Sequence, residues 1–325
     1  MTPALSIVVP LRNNHQTLPR LLDSIAQQNI ALETILVDDC SDEPYDALAE
    51  TYRCQGMDIR LIRTPRQVYT KEARLLGIEA ARAEILTFAD GDDIFLGVDL
   101  LGSLVRLFTQ HQADILHFST KDISIESVSE INWLSPFQAE MRGWDIMRKF
   151  ADVFSRFNIW GKLYRRSLWQ ELVPVARAFP IQRYCEDMYL FFLYALHSKF
   201  YLGCPVPAYG YYFVPESASE RAFQRMLATD TIKQRFIPYM QSQGCPEDIV
   251  KIMGEHLGCH VALQATRWLR DFCFESAPGS GNRDYLAEIP EQMPEKELLR
   301  ILLDANASLA RTLTSMAGPV IRLAS

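Results

Sequence analysis

The chain has 325 residues, of which 48% are hydrophobic and 22% are charged, and its formal net charge is -7. This length and balance are typical of a globular protein with one or two domains, without low-complexity segments or repeats. The acidic charge, with no block of Lys or Arg, argues against sequence-independent nucleic-acid binding.

Short apolar runs alternate with amphipathic helical segments through the first part of the chain. Each run is continuous and rich in β-branched residues, which is typical of a central parallel strand. This alternation, in units of about 25–30 residues, predicts an α/β fold with a mostly parallel sheet and helices on both faces. The predicted strands lie at 6–10, 34–37, 59–62, 85–89 and 115–118.

Two of these predicted strands end in acidic residues. Asp38 and Asp39 follow the second strand, and Asp90, Asp92 and Asp93 follow the fourth. Because open α/β sheets bind ligands beyond the carboxyl ends of their strands, these carboxylates are expected to meet there. Clustered carboxylates raise one another's pKa unless a cation lies among them, and oxygen ligands suit Mg²⁺ or Mn²⁺. For the second cluster alone, a solvated turn that caps the next helix is the alternative.

The alternation loosens in the next part of the chain. Glu186-Asp187 opens an apolar helix, where an acidic pair is also explained as a cap or a partner of the helix dipole. Residues 205–212 are predicted to form an edge strand with a proline boundary. Beyond Ser219 the pattern is helical. The predicted helices there lie at 222–241, 247–274 and 295–316.

These patterns predict two domains, an α/β domain at 1–215 and a helical region at 216–325. Seven scattered cysteines without a Cys-x-x-Cys motif favour reduced thiols in a cytoplasm. No signal peptide pattern is present, and no apolar stretch reaches about 18 residues. We therefore expect a cytoplasmic protein, with peripheral attachment to the inner face of the membrane through the last helix as an alternative.

The ordered motifs resemble those of family 2 glycosyltransferases, which have the GT-A fold, over roughly residues 5–219. A GT-A fold is a Rossmann-like α/β architecture, in agreement with the predicted strand and helix order. The motifs are Ser6-Ile7-Val8-Val9-Pro10 with the turn Arg12-Asn13-Asn14, Val37-Asp38-Asp39-Cys40-Ser41, Ala73-Arg74-Leu75-Leu76-Gly77, Asp90-Gly91-Asp92, Lys162-Leu163-Tyr164-Arg165 and Glu186-Asp187.

The resemblance implies a nucleotide-sugar donor, a UDP-sugar above all, bound within residues 1–118. Asp39 would hydrogen-bond the base, while Pro10, Arg12 and Asn13 would line the base and ribose pocket. Arg74 would hold the nucleotide-binding loop or the diphosphate.

The same resemblance implies a metal and a proton acceptor. Asp90, with Gly91, would approach the ribose, and Asp92 would ligate Mn²⁺ or Mg²⁺ on the diphosphate, with Asp90 as the second carboxylate. Asp187 would be the general base and Glu186 would support it or the acceptor, within an acceptor half at 119–215. The implied reaction inverts the anomeric centre and transfers a hexosyl or N-acetylhexosaminyl group to a glycan or lipid-linked saccharide of a surface polysaccharide.

The sequence also departs from the family pattern. Arg12, His15 and Leu75 stand where Tyr, Glu and Asn are frequent. Residues 213–219 read Phe-Val-Pro-Glu-Ser-Ala-Ser, where many relatives carry Arg and His that touch the diphosphate. These differences leave the identity of the sugar donor open.

Three further signals have more than one interpretation. Gln264-Ala265-Thr266-Arg267-Trp268 fits a motif of processive family 2 synthases, but packing within a helical region is the preferred interpretation. His256 and His260 have the spacing of a metal pair, yet no third ligand is evident, so two helix-face histidines are preferred. The basic group Lys162, Arg165 and Arg166 would be either a solvated face or a contact for an acceptor phosphate.

Two functions from different classes remain. The leading one is a metal-dependent inverting glycosyltransferase, and the alternative is a non-catalytic nucleotide-sugar or glycan-binding protein on the same fold. Asp92 and Asp187 favour the enzyme because binding alone requires neither a metal-ligating carboxylate nor a proton acceptor. A Rossmann dehydrogenase is excluded because no Gly-x-Gly-x-x-Gly follows the first strand.

Overall fold

A computed structural model of the chain describes residues 2–123, 129–130, 135–181, 183–212, 222–275, 300–301 and 304, apart from the side chains of 129–130 and 268–275. Contacts between Cα atoms divide the chain into two compact units, Met1–Pro215 and Glu216–Ser325.

The first unit alternates strands and helices. The strands are β1 (Leu5–Leu11), β2 (Leu32–Asp38), β3 (Asp58–Arg63), β4 (Ile85–Phe88), β5 (Ile94–Phe95), β6 (Ile115–Asp122), β7 (Ser129–Glu130), β8 (Glu140–Arg142), β9 (Lys162–Arg165) and β10 (Phe200–Tyr211). The helices are α1 (Leu18–Ala26), α2 (Asp46–Cys54), α3 (Tyr69–Ala80), α4 (Leu100–His111), α5 (Trp144–Val153), α6 (Arg166–Ala178) and α7 (Glu186–His197).

One sheet contains all ten of these strands, and its main path runs β3-β2-β1-β4-β9-β6-β10-β5. Neighbours from β3 to β4 are parallel, as are β6 and β10. β9 is antiparallel to both β4 and β6, so that it joins two parallel halves. The predicted α/β fold with a mostly parallel sheet is therefore confirmed.

Burial of both sheet faces explains why the strands are continuously apolar. Ile7, Val8 and Val9 of β1 have no exposed surface, because helices cover the sheet on each side. Within α1, apolar residues recur at a spacing of three or four, and each of them is buried against the core. The apolar patterns that predicted β1 and α1 are thus explained by burial, on both faces of the strand and on one face of the helix.

The prediction of an edge strand at 205–212 is wrong. β10 begins at Phe200, and it pairs with β6 on one side and with β5 and β8 on the other. The ladder to β6 shifts register between Cys204 and Pro207 and again between Pro207 and Tyr209. A bulge leaves a residue unpaired, so proline, which has no N–H to donate, is tolerated inside the sheet there.

The second unit contains α8 (Ala222–Ser242) and α9 (Glu247–Glu275), as predicted at 222–241 and 247–274. Of the helix predicted at 295–316, residues 300, 301 and 304 are described and are helical, and the rest lies outside the described residues. Among the residues described, no helix has the length and apolar character needed to cross a membrane.

Helix α3 lies directly on the central strand β1. Gly77 is the contact point, since a Cβ atom built there would overlap the side chain of Val8 and come within 3.2 Å of its Cγ2 atom. The glycine of the Ala-Arg-x-x-Gly motif therefore sets the distance between α3 and the sheet. That distance in turn places the arginine of the motif, Arg74, one turn earlier on the same helix.

Replacing Gly77 with alanine is expected to lower the free energy of unfolding by about 1–3 kcal/mol, because the added methyl group overpacks the contact with Val8. Urea denaturation followed by circular dichroism measures this change. Gly254→Ala in α9 is the control, since its Cβ would meet Ile237 Cδ1 at an ordinary 3.8 Å and alanine favours the helix. Wild-type stability in Gly77→Ala would contradict the close packing.

Candidate active site

The acidic ends of β2 and β4 meet at one edge of the sheet. β1 lies between these strands and pairs with both of them in parallel register. Asp39 follows β2 and Asp90 follows β4, so the two loops flank the loop that follows β1. The structure thus brings together the carboxylates that the sequence placed at strand ends.

Asp39 is bound to the start of α3. Its carboxylate accepts hydrogen bonds from the backbone N–H groups of Val68 and Tyr69, at 2.5 and 2.8 Å. Thr64 Oγ1 adds a longer bond at 3.4 Å. A carboxylate has about four lone-pair sites, so one site on Oδ2 stays open for a further donor. The N–H bonds also fix the orientation of that oxygen.

Asp38 has a different role from its neighbour. It is fully buried, forms an ion pair with Arg63 at 2.8 Å, and accepts the backbone N–H of Ser41. It therefore stabilises the turn that presents Asp39.

The β1 loop is fastened to the β2 loop by its polar residues. Arg12 donates from Nη1 to the carbonyl oxygen of Asp39 at 3.0 Å. Asn13, which adopts φ of 56°, exchanges two hydrogen bonds of 3.0 Å with Asp42. Pro10 is partly buried at the end of β1, paired with Val37. These residues line the junction of the two loops, where the sequence predicted the base and ribose pocket.

Gly91 lets the β4 loop approach the β1 loop closely. A Cβ atom there would lie 2.8 Å from Leu11 Cδ2 and 3.3 Å from Asn14 Cβ. Thr17 Oγ1 donates to the carbonyl oxygen of Gly91 at 2.8 Å. A side chain at the middle residue of Asp90-Gly91-Asp92 would displace the end of Leu11, while the two aspartates on either side remain partly exposed.

Asp93 belongs to the framework of the site. Its carboxylate accepts hydrogen bonds from the Tyr209 hydroxyl at 2.7 Å and from the backbone N–H of Tyr212 at 2.8 Å. The Tyr209 oxygen also accepts the N–H of Asp90 at 3.1 Å. Burial, Asp90 and Asp92 all raise the pKa of Asp93. The pair of Tyr209 and Asp93 therefore fastens the β4 loop to β10.

The surroundings of Asp92 disfavour its negative charge, although Arg20 partly offsets this effect. Burial and the neighbouring Asp90 raise its pKa to about 6. Its carboxylate forms no ion pair with any described residue, although Arg20 donates to its backbone carbonyl at 3.3 Å. A carboxylate with a raised pKa beside a second one has the chemistry of a cation ligand. Over the described residues, no group of three or more His, Cys, Asp or Glu side chains is arranged to hold a metal.

Arg74 joins the β4 loop to the start of α7. Its side chain is only 4% exposed, and it forms ion pairs with Asp90 at 3.0 Å and with Glu186 at 3.2 Å. Burial lowers its pKa, but attraction to Asp90, Glu186 and Asp187 outweighs this effect and raises the pKa overall. The Nε atom is buried without a hydrogen-bond partner.

Glu186 and Asp187 form the first turn of α7. The residues before them, Tyr184 and Cys185, have φ of 59° and 54°, so two consecutive left-handed residues turn the chain into the helix. Burial and Asp187 raise the pKa of Glu186 to about 7, against the opposing effect of Arg74. The position of these two carboxylates at the start of α7 agrees with an interaction with the helix dipole as well as with a functional site. The N-cap residue is Cys185, but Asp187 Oδ1 accepts the backbone N–H of Met188 at 2.8 Å and so satisfies one of the first N–H groups of the helix.

Lys71 is a buried framework residue that the sequence did not single out. Its Nζ donates to three carbonyl oxygens at the end of α6, those of Ala176, Arg177 and Phe179, at 2.9, 3.3 and 2.6 Å. It therefore satisfies helix-end groups and fixes α3 against the segment that leads to α7. No local pattern distinguishes it from a solvated lysine on an amphipathic helix.

The basic residues of the Lys-Leu-Tyr-Arg stretch do not share one surface. Lys162 has no exposed surface and donates to the Asn158 carbonyl oxygen at 2.6 Å. Arg165 pairs with Asp114 at 2.9 Å. The interpretation of a common solvated face is therefore wrong for Lys162, because this residue is buried and its charge is bonded to the Asn158 carbonyl oxygen.

Among the described residues, the two histidines in α9 belong to no group of three or more possible metal ligands. His260 Nδ1 lies 3.0 Å from Thr229 Oγ1 of α8, and its other ring nitrogen lies 3.5 Å from Gln264 Nε2. Burial, together with Arg225 and Arg267, lowers the pKa of His260 to about 4. The residue packs the two helices together, and Gln264 of the Gln-x-x-Arg-Trp stretch belongs to the same contact. The Trp268 side chain lies outside the described residues.

Comparison with known proteins identifies the family. The model of glycosyl transferase family 2 matches residues 6–171, which include the β1 loop, Asp39, Arg74 and the Asp90-Gly91-Asp92 segment. The uncharacterized glycosyltransferase EpsJ of Bacillus subtilis is 32% identical over 117 residues, covering 36% of this chain and 33% of that protein. The matched segments span about a third of the length of EpsJ and of two further relatives, from Streptococcus pneumoniae and Haemophilus influenzae.

Solved structures show the same fold. TarS 1–349 of S. aureus in complex with UDP-GlcNAc has a TM-score of 0.59 at 18% identity, covering 93% of this chain and 79% of that one. The mannosyltransferase PcManGT of Pyrobaculum calidifontis, with GDP-Man and Mn²⁺, has a TM-score of 0.55 at 15% identity, covering 96% and 88%. The GT-A fold inferred from the motifs is therefore confirmed.

Tyr209→Phe is expected to lower the free energy of unfolding by about 1–3 kcal/mol, because the buried Asp93 carboxylate and the Asp90 N–H each lose a partner. Chemical denaturation measures the loss. Tyr211→Phe is the matched control, since both rings stack on Trp160 at 5.1 Å while no hydrogen bond from the Tyr211 hydroxyl is described. Equal losses in the two variants would show that the hydroxyl of Tyr209 has no special role.

Proposed function

The chain belongs to glycosyltransferase family 2. On that premise we propose that it transfers the sugar of a nucleotide-diphosphate sugar to a hydroxyl group of a saccharide. The observation that carries the proposal is the Arg74 bridge, which joins a carboxylate of the Asp90-Gly91-Asp92 segment to one of the Glu186-Asp187 pair. This bridge supports the proposal, because the groups proposed to bind the donor and to accept the proton would then be adjacent, as a transfer reaction requires.

The proposed donor is a UDP-sugar held by residues 1–118. The TarS structures with UDP and UDP-GlcNAc support this choice, because their chains share the fold. We assign the contact with the nucleotide base to Asp39, whose Oδ2 has one lone-pair site left to accept an N–H of that base. Pro10, Arg12 and Asn13 line the base and ribose side.

Asp92 and Asp90 fit a divalent cation, Mn²⁺ or Mg²⁺, on the diphosphate. The support is the raised pKa of Asp92, which a cation beside the two carboxylates would relieve. When bound, the cation stabilises the negative charge that develops on the departing diphosphate oxygens. Asp90 keeps a partly exposed carboxylate for the ribose, while Gly91 keeps the loop against β1.

The acceptor is bound by residues 119–215, and Asp187 is the proposed general base. The acceptor hydroxyl oxygen forms a bond to the anomeric carbon while the bond from that carbon to the diphosphate oxygen breaks. The hydroxyl proton passes to the Asp187 carboxylate. With the base on the face opposite the leaving group, one displacement inverts the anomeric centre, so that an α-linked donor gives a β-linked product.

The proposed acceptor is a glycan or lipid-linked saccharide of a surface polymer. The support is similarity to TarS of Staphylococcus aureus, a poly(ribitol-phosphate) β-N-acetylglucosaminyltransferase that is 26% identical over 129 residues. The competing proposal is a non-catalytic nucleotide-sugar or glycan-binding protein. Incubation with a panel of nucleotide sugars, Mn²⁺ and saccharide acceptors separates the two. Release of nucleoside diphosphate supports the enzyme, and binding without release supports the alternative.

Asp187→Asn is expected to reduce transfer by about 10²-fold or more, since the amide cannot accept the hydroxyl proton. Affinity for UDP should stay close to that of the wild type, because Asn preserves the size of the side chain. Product formation and isothermal calorimetry measure the two quantities. Wild-type turnover by this variant would remove Asp187 from the role of base.

Asp92→Ala is expected to abolish the Mn²⁺-dependent part of UDP binding, because the alanine has no oxygen ligand. Calorimetric titration of UDP with and without Mn²⁺ measures this part separately from metal-independent binding. Asp122→Ala, at the end of β6, is a control for the loss of one negative charge. If the Mn²⁺-dependent gain in affinity persisted in Asp92→Ala, the metal assignment would be wrong.

A further inference from the structure

Glu186 is the first residue of α7, in the half of the domain assigned to the acceptor. Its ion-pair partner, Arg74, is on α3, in the half assigned to the donor. Its Oε1 accepts a hydrogen bond from Arg74 Nη1, and Arg74 Nη2 binds Asp90 Oδ1. The Glu186 side chain is 14% exposed and Arg74 is 4% exposed, whereas Asp90 is 34% exposed. The exposed end of this three-residue bridge is therefore Asp90, which is the end assigned to the donor in the proposed function.

We propose that Glu186 is a positioning residue for the donor, which acts on Asp90 through Arg74. This inference rests on the proposed function, because it assigns Asp90 to the nucleotide side. It differs from an acceptor contact or a second base, since Glu186 Oε1 is engaged by a buried guanidinium and only 14% of the side chain is exposed. Asp187, the next residue, keeps its proposed role of general base.

The physical basis is the division of one positive charge between two carboxylates. While Glu186 holds one side of the guanidinium, Asp90 receives only part of its attraction, and its exposed oxygen remains a good acceptor for ribose hydroxyls. Without the charge of Glu186, the guanidinium turns fully to Asp90 and competes with the donor. A buried ion pair responds strongly to the loss of a partner because little water is present to replace it.

The surrounding backbone makes the bridge rigid enough to transmit this effect. Arg74 is on α3, whose first N–H groups are bound by Asp39 and whose Gly77 is in contact with β1. Glu186 follows two left-handed residues, which set where α7 begins. The middle of the bridge and its Glu186 end are thus held by backbone geometry, so a change at Glu186 is expressed at Asp90.

The test measures UDP affinity with Mn²⁺ by calorimetry, at a pH above the raised pKa of Glu186, in Glu186→Gln, which keeps the size of the side chain and removes its charge. We expect about tenfold weaker binding, the equivalent of 1.4 kcal/mol. Glu72→Gln is the matched control, because Glu72 is on α3 and pairs with Arg177 at 2.9 Å outside the bridge. It should bind UDP as the wild type does. Arg74→Lys, which keeps the charge but cannot span both carboxylates, is expected to weaken binding as well.

Steady-state kinetics add a readout that a loss of folding would not mimic. In Glu186→Gln the donor KM should rise about tenfold while kcat changes by less than about threefold. An unchanged UDP affinity with a raised acceptor KM would overturn the proposal in favour of an acceptor contact. A fall in kcat as large as that of Asp187→Asn would overturn it in favour of proton transfer.

The wild-type protein separates this inference from the proposed function. If the wild type bound neither UDP nor GDP, the proposed function and the inference would both be wrong. If the wild type bound UDP and Glu186→Gln bound it equally well, the inference alone would be wrong. If Glu186→Gln failed to fold, as judged by circular dichroism, the decision would fall to Glu186→Asp, whose shorter side chain keeps the charge but withdraws it from Arg74: weaker UDP binding supports the proposal and wild-type binding overturns it.

Discussion

The buried guanidinium of Arg74, held between Asp90 and Glu186, is the interaction on which the site depends. Removing a charge from water costs several kcal/mol, and only good geometry with opposite charges offsets that cost. The fold provides the geometry through α3, since Asp39 binds the first N–H groups of the helix and Gly77 sets its distance from β1. The position of one helix thus determines where the carboxylates of Asp90 and Glu186 lie relative to each other.

Much of this arrangement was predictable from the sequence because it follows from local patterns. Continuous apolar runs identified the parallel strands, since burial on both faces leaves no polar positions. Acidic residues after the second and fourth predicted strands were expected at one edge, and β1 lies between those strands as that expectation requires. The raised pKa of Asp92 agrees with the expected repulsion within the cluster, although burial is its larger cause. The roles assigned to individual site residues stay predictions.

What the sequence did not provide are contacts between distant segments. Tyr209 was predicted to lie in a strand, but its bond to Asp93 depends on the register of β10 beside β6 and β5. Lys71 had the pattern of a surface lysine, although it ends up buried under the last carbonyl groups of α6. The edge position expected for β10 was wrong because a bulge accommodates its prolines inside the sheet. Each of these outcomes is decided by tertiary packing, which no local spacing encodes.

A double-mutant cycle on UDP affinity tests the central claim, that a shared guanidinium couples Asp90 to Glu186. The cycle compares Asp90→Asn, Glu186→Gln and the double variant with the wild type, all with Mn²⁺ and by calorimetry. Since each carboxylate contacts Arg74, the account predicts effects that depart from additivity by about 0.5–3 kcal/mol. Effects that add within about 0.3–0.5 kcal/mol, as for independent sites, would contradict it.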